Sequence, residues 1–265
     1  MITSVANPRV KQVVQWQNKA KERRKDNIFL AEGAKMFEEA PVKSIREVYL
    51  TAELEDKWKK EGGTLWDKLK SLPYETVSED VFAKMSDTMS PQGILSVIRR
   101  PEYQLEDYIK KENPLFVILE DLQDPGNLGT IIRTGEGAGI TCVIMTKNTV
   151  DLFNPKTIRA TMGSVFRVPF VYVEDVEKTL DILHEAGIAT YAAHLKGENY
   201  YDSFSFKEGT AFLIGNEGNG LKKQTADKAK SYLKIPMEGQ VESLNAAIAT
   251  SLLMYEAHRQ RSMRV

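Results

Sequence analysis

From Pro114 onward six apolar runs of strand length, LFVILE, TCVIMT, VFRVPFVYV, IATYAAHL, TAFLIG and YLKIPM, follow one another, and helical segments such as DVEKTLDILHEAG separate most of them. Strands that are apolar along their whole length need cover on both faces. Intervening helices supply it, so this part of the chain is expected to form an α/β domain with a parallel sheet. In such sheets ligands bind in the loops that follow the carboxyl ends of the strands.

The first hundred residues alternate more weakly. Residues 4–25 read as helical, IFLAEG as a strand, AKMFEEA as a helix and REVYL as a strand; after the charged, helical EDKWKKEGGTLWDKLKSL come the strand YETV, the capped helix SEDVFAKMS and the strand GILSVI. This predicts a small α/β domain over residues 1–99. The polar stretch RRPEYQLEDYIKKENP, bracketed by Pro101 and Pro114, reads as a linker over 100–113, and the second domain spans 114–265.

The loop after LFVILED reads DPGNLGTIIRTGEGAG. Its glycines fit neither a P-loop, which closes on Lys-Ser/Thr, nor a dinucleotide fingerprint, which packs three glycines into the turn itself. Only Gly126 and Gly129 fall in the turn, and Leu128, Ile131 and Ile132 already mark a helical apolar face. Two further loops resemble it in character. After TAFLI comes GNEGNGL, with Glu217 between glycines, and after YLKI comes PMEGQVESLN, with Ser243 and Asn245 opening the last helix.

Composition narrows the setting. At 42% hydrophobic and 28% charged the chain is globular in character, and no apolar run approaches the ~18 residues that span a bilayer. The start, MITSVANPRVKQ, lacks the apolar core of a secretory signal, and Cys142 is the single cysteine, so a reducing cytoplasm is expected and a disulfide framework is not. His184, His194 and His258 are scattered without ligand spacing, and no metal is expected. The 36 basic and 37 acidic residues nearly cancel. Between Met1 and Asp26, however, Arg9, Lys11, Lys19, Lys21, Arg23, Arg24 and Lys25 stand against Glu22 and Asp26, a local excess of 7 − 2 = +5 that could lie along phosphates or be a solvated helix face.

The three motifs N-L-G-T-I-I-R, I-G-N-E-G-N-G-L and I-P-M-E-G-Q-V-E-S-L-N-A-A-I-A together resemble those of the SpoU (TrmH) family of RNA ribose 2′-O-methyltransferases in the SPOUT superfamily, over Pro114 to Arg261. NPRVK, FLAEG and SPQGILSVI resemble the substrate-binding domain of many members. The resemblance implies a C-terminal trefoil knot that binds S-adenosylmethionine, a homodimer with active sites at the subunit interface, and RNA as substrate. Ribosomal RNA is the leading expectation; transfer RNA, or a catalytically idle RNA-binding scaffold, is the alternative.

By the same resemblance Gly215, Ile235 and Leu244, with Met237 beside them, hold the cofactor, the first three through main chain; core packing also accounts for Ile235 and Leu244. Arg133 is the residue expected to act on the ribose. Either it helps deprotonate the 2′-hydroxyl or, because an arginine side chain stays charged, it clamps phosphate and stabilises the developing oxyanion; a plain surface arginine is the structural alternative. Asn127 is expected to cap the helix that carries Arg133 and to orient its guanidinium. Glu217 would bond an arginine or backbone, and Ser243 and Asn245 would place the ribose or cap the last helix. In that helix Leu244, Ala247, Ile248, Ser251, Leu252 and Tyr255 are expected on one face, which would pack the knot or a partner subunit.

Overall fold

The computed structural model describes residues 1–195 and 197–262. The last three residues of the expected second domain lie outside the described residues. In chain order the elements are α1 (Pro8–Asn18), α2 (Ala20–Lys25), β1 (Ile28–Glu32), α3 (Ala34–Glu39), β2 (Ile45–Thr51), α4 (Ala52–Glu61), α5 (Thr64–Lys70), β3 (Tyr74–Val77), α6 (Glu79–Met85) and β4 (Ile94–Arg99). They continue as α7 (Glu106–Ile109), β5 (Leu115–Leu119), α8 (Pro125–Ala138), β6 (Cys142–Thr146), α9 (Pro155–Thr161), β7 (Phe170–Val173), α10 (Val176–Glu185), β8 (Ala189–Ala193), β9 (Thr210–Ile214), α11 (Lys223–Lys228), β10 (Ser231–Leu233) and α12 (Ala246–Ser262).

The chain forms two compact units. The first joins Met1–Pro101 to Asp151–Phe166, and the second joins Glu102–Val150 to the residues from Arg167 onward.

In the first unit a four-stranded sheet runs β1-β4-β2-β3, with β2 and β3 parallel and the other pairs antiparallel. The helix expected over residues 4–25 is two helices. Asn7 caps α1 ahead of Pro8, and at Lys19 the backbone turns extended before α2 begins. Arg23, 2% exposed, folds back to donate to the carbonyls of Trp16 and Gln17 at 2.6 and 3.0 Å, which satisfies the end of α1. Its other nitrogen donates to Asp151 at 2.7 Å, and Arg100 donates to the second oxygen of Asp151 at 3.4 Å.

Segment 151–166 is therefore tied to the first unit by a buried ion pair. Stacking reinforces it, with the ring of Phe29 4.9 Å from Phe153 and 6.1 Å from Phe166. This is also why the expected strand VFRVPFVYV begins only at Phe170: Ser164–Phe166 forms a 3₁₀ turn in the first unit, and the carbonyl of Pro169 accepts the first ladder bond from Val143.

The second unit holds a six-stranded sheet in the order β10-β8-β9-β5-β6-β7, parallel throughout. Its central strand β5 is buried at every residue, and Val117 lies opposite Val143 on one side and Phe212 on the other. The expected linker packs against this unit, with Leu105 in its core and Tyr103 set edge-on to Phe170 at 5.3 Å. Strand β10 is shorter than YLKIPM suggests, because after Leu233 the chain changes partner: the amide of Lys234 donates to the carbonyl of Asn199 at 3.1 Å and the carbonyl of Lys234 accepts from the amide of Tyr201 at 2.9 Å. Cys142 is buried in β6, which pushes its thiol up to about 12.

Asp151→Ala would leave the buried guanidinium of Arg23 without its charged partner, and loss of one member of such a pair costs roughly 3 kcal/mol or more. Urea denaturation is expected to show a loss of that size. A change below about 1 kcal/mol would mean that Arg23 is held by its carbonyl contacts alone.

Candidate functional site

Strands β5 and β9 are neighbours, so the loops that follow them meet above the carboxyl edge of the sheet, and the loop after β10 closes over the same edge. Between the last two loops lies a cleft of about 520 Å³. Gly215, Ile235, Met237 and Leu244 all line it, together with Glu217, Ser243 and Asn245. Asn127 and Arg133 do not belong to its lining. Its lining is apolar at Ile214, Leu233, Leu244 and Ala249 and polar at Asn216, Glu217, Asn219, Ser243 and Asn245.

Gly215 is glycine for a reason internal to the protein. A Cβ there would lie 2.0 Å from the carbonyl carbon of Gly220 and 2.1 Å from the nitrogen of Leu221. The loop doubles back on itself, and Asn216 and Gly220 exchange backbone hydrogen bonds of 3.1 and 2.8 Å. Asn216 organises the turn, because its side-chain oxygen accepts from the amides of Gly218 and Asn219 at 2.9 and 3.1 Å while its amide donates to the carbonyl of Asp121 at 2.9 Å.

Helix α8 begins at an Asp-Pro step. Asp124 is the cap, accepting from the amide of Asn127 at 2.7 Å, and Pro125 occupies the first helical position, where a missing N–H costs nothing. Asn127, expected as the cap, instead sits in the first turn with its side chain free to reach sideways. Its amide donates to Glu217 at 2.9 Å, and its oxygen accepts from the amide of Asn245 at 2.9 Å. The oxygen of Asn245 in turn accepts from the amides of Ala247 and Ile248 at 2.9 and 3.3 Å, so Asn245, rather than Ser243, caps α12.

Glu217 also accepts from the amides of Gln123 and Asp124 at 3.0 and 2.9 Å. Its partial burial by itself would raise the carboxyl, but the amide of Gln123, the side chain of Asn127 and the amide of Asp124 together outweigh that and hold it below the usual range. One directed chain of hydrogen bonds thus runs through all three motif loops, Glu217 to Asn127 to Asn245 to α12.

Beside it, buried Glu120 accepts from the amide of Lys222 at 2.8 Å and the hydroxyl of Thr225 at 2.5 Å. Asp121 accepts from Lys222 at 2.7 Å and Thr146 at 2.7 Å, contacts that offset its burial and hold its carboxyl low. The Asp-Pro step offers Asp124 as a cap beside Asn127 but does not choose between them. Asn216, Glu120 and Asp121 carry no pattern of their own and gain their roles only where two distant loops touch.

Arg133 lies on the exposed side of α8 and has no hydrogen-bond or ion-pair partner among the described residues. The glycines of DPGNLGTIIRTGEGAG shape this helix. Gly139 ends it in the left-handed conformation (φ 76°), and a Cβ at Gly137 would lie 2.9 Å from the Tyr255 hydroxyl. The face of α12 that packs inward is Ala246, Ala247, Thr250, Leu253, Met254 and Ala257. Of the expected face Ala247 lies among these, while Ile248, Leu252 and Tyr255 remain 51%, 39% and 48% exposed on this chain, outside its own packing.

A parallel sheet with a cleft among loops at its carboxyl edge defines an α/β protein built to hold a ligand at that edge. Residues 114–255 match the SpoU rRNA Methylase family and residues 7–96 the MRM3-like substrate binding domain, and the chain belongs to the SpoU family. It is 35% identical over 257 residues to the 23S rRNA (guanosine(2553)-2′-O)-methyltransferase RlmP of Bacillus subtilis, covering 96% of this chain and 97% of the relative. Among solved structures it resembles the AdoMet-bound rRNA methyltransferase from Sinorhizobium meliloti (TM-score 0.86, 30% identity, 97% of each chain). It also resembles the SpoU methyltransferase AviRb from Streptomyces viridochromogenes in complex with AdoMet (TM-score 0.85, 26% identity, 97% of this chain and 100% of that one).

Because the folded carboxyl of Glu217 is depressed, its contribution to the loops is fully present above the ordinary glutamate range and is lost as pH falls through the lowered folded value. The hydrogen-exchange protection of the amides of Gln123 and Asp124, taken relative to their intrinsic rates at each pH, is therefore expected to fall on acidification before that of the sheet amides does. In Glu217→Gln the acid step should vanish; its persistence would assign it to another carboxylate.

Proposed function

We propose that this protein transfers the methyl group of S-adenosylmethionine to a ribose 2′-hydroxyl of ribosomal RNA, working in the cytoplasm as a homodimer. The observation that carries the reading is the convergence of Gly215, Ile235, Met237 and Leu244 on one cleft, bordered by the chain of hydrogen bonds through Glu217, Asn127 and Asn245. A cleft of about 520 Å³ lined by both apolar and polar side chains suits a nucleoside-sized ligand. Main-chain groups of Gly215, Ile235 and Leu244 would hold it, with Met237 against its apolar part. When bound, the cofactor supplies an electrophilic methyl on a sulfonium. Ser243, exposed at the cleft's edge, is placed to meet a ribose hydroxyl, while Asn245 and Glu217 hold the loops that shape the edge.

Ile214, Leu233 and Ala249 make part of the lining apolar. A dry surface favours a reaction in which an oxygen gaining negative charge meets a cation, since the separated charges lose more hydration than the transition state. Arg133 is assigned to the ribose or its phosphate. It stands outside the cleft of its own chain, and α12 presents a second apolar stripe, Ile248, Leu252 and Tyr255, beyond the face that packs inward. A second copy seated on that stripe would bring each Arg133 to the other's cleft, and the trefoil knot expected of the family belongs to the same reading. Ribosomal RNA is preferred to transfer RNA because the Bacillus relative, named for ribosomal RNA, aligns along almost the whole chain, including the first unit.

The deciding experiment supplies ribosomal and transfer RNA with S-adenosylmethionine and maps ribose methylation. Label in ribosomal RNA is expected; label in transfer RNA alone would shift the substrate, and RNA binding without label would make the protein an idle scaffold. Arg133→Ala is expected to lower single-turnover methyl transfer about a hundredfold, with cofactor affinity by calorimetry unchanged. Arg133→Lys should not rescue it, because a point charge lacks the planar fork. Leu252→Asp should yield monomers by light scattering and lose activity with them; a monomeric, fully active variant would refute the shared site.

A further inference from the structure

The first unit contains a cavity that the methyl-transfer reading leaves unused. It measures about 500 Å³ and is lined by Arg9, Gln12 and Trp16 of α1, Asp26, and Arg46, Glu47 and Tyr49 of β2. Arg46 and Glu47 are consecutive, and in a regular strand consecutive side chains point to opposite faces. Both reach this cavity because the pairing of β2 with β4 slips between Ile45 and Glu47, an irregularity that re-aims a side chain. The guanidinium of Arg46 then lies 5.5 Å from the centroid of the Trp16 ring, and among the described residues it has no hydrogen-bond or ion-pair partner.

Each carboxylate in the cavity is fixed by an aromatic donor through one oxygen. Trp16 Nε1 donates to Asp26 Oδ2 at 2.6 Å, with Gln12 at 3.4 Å, and the hydroxyl of Tyr49 donates to Glu47 Oε2 at 2.9 Å. Asp26 Oδ1 and Glu47 Oε1 are left without a partner among the described residues. Arg9 is already engaged by Glu75 at 3.0 Å. Lining charges balance, Arg9 and Arg46 against Asp26 and Glu47, 2 − 2 = 0. A phosphate would meet two carboxylates here, so the ligand this cavity suits is uncharged, flat and rich in donors.

We propose that this cavity binds an unpaired guanine base of the substrate RNA, stacked on the Arg46 guanidinium with its Watson–Crick edge donating to Glu47. Unpaired bases are commonly stacked on aromatic or guanidinium planes and read along that edge. Guanine alone among the four bases presents two adjacent donors there, N1–H and the N2 amino group, which match a carboxylate. Uracil presents one N–H between carbonyls that a carboxylate would repel. Trp16 holds the far side of the guanidinium, so the stacking plane is set before the base arrives. On the same helical pair Lys11, Lys19, Lys21, Arg24 and Lys25 are exposed and free to meet the RNA backbone, whereas Arg23 is buried. The proposal rests on RNA being the substrate.

The test uses the full-length protein and four mononucleotides, GMP, AMP, CMP and UMP, whose common phosphate cancels any charge effect. The indole N–H resonance of Trp16, assigned by its loss in Trp16→Phe, is followed during titration. GMP is expected to shift it with an affinity about tenfold or more above UMP, the discrimination of one well-formed bidentate pair. Both Arg46→Ala and Glu47→Gln should remove the difference while the other indole resonances stay in place, which shows that each variant is folded. Equal responses to all four nucleotides, or a GMP response untouched by both substitutions, would overturn the proposal. Methylation of ribosomal RNA by the same preparations keeps the two readings apart. Absence of methyl transfer by the unsubstituted protein condemns the methyl-transfer reading, whereas transfer with no guanine preference at Trp16 condemns only the cavity.

Discussion

The directed chain of hydrogen bonds from Glu217 through Asn127 to Asn245 is the constraint on which the candidate site depends. A carboxylate can only accept, so it must receive the amide of Asn127; that turns the oxygen of Asn127 toward the amide of Asn245, whose own oxygen is left for the first amides of α12. Each amide orientation is therefore set by the charge at one end. The three loops come from strand ends far apart in sequence, and a single acidic side chain fixes how they face one another. Glu217 does so while engaging two amides at the start of α8, where negative charge is favoured by the helix dipole.

Around this chain the loops are shaped by steric and electrostatic limits more than by contact with any ligand. At Gly215 the polypeptide approaches its own returning strand too closely for any side chain. Asp121 adopts a positive φ of 55° and, with Glu120, receives bonds from Lys222 and its neighbours, which anchors the end of the second loop to the end of the first strand. The apolar lining at Ile214 and Leu233 comes from the ends of β9 and β10, and the polar lining from the loops that follow them.

In the first unit the expected elements recur with their breaks displaced. YETV is a strand at Tyr74–Val77 as read, but the helix over residues 4–25 parts at Lys19 and the charged helix parts at Gly62 and Gly63. Arg23 illustrates why composition misleads. Counted among seven basic residues that could face phosphate, it is instead buried against two carbonyls and Asp151, a residue more than a hundred positions away. The same ion pair draws 151–166 into the first unit, and no local pattern in VFRVPFVYV announces that half of it leaves the sheet.

The sequence by itself determined the α/β class, the strands of the parallel sheet, and the three loops that carry the site, because hydrophobic period and the Gly, Pro and Asn signals of turns are local properties of the chain. Motif resemblance added the family and pointed to Gly215, Glu217, Ile235, Met237, Ser243, Leu244 and Asn245, which line the cleft, and to Asn127 and Arg133, which do not. Only the tertiary structure decided that Asp124 rather than Asn127 caps α8, that Asn245 rather than Ser243 caps α12, and that α12 buries its Ala246 and Ala247 face while leaving Ile248, Leu252 and Tyr255 outside. The first ten residues of α12, AAIATSLLMY, are apolar on nearly every side and so have no periodicity to say which side is inward. A polar side chain's partner is likewise fixed by whichever distant loop arrives beside it, and that depends on long-range packing that no local pattern encodes.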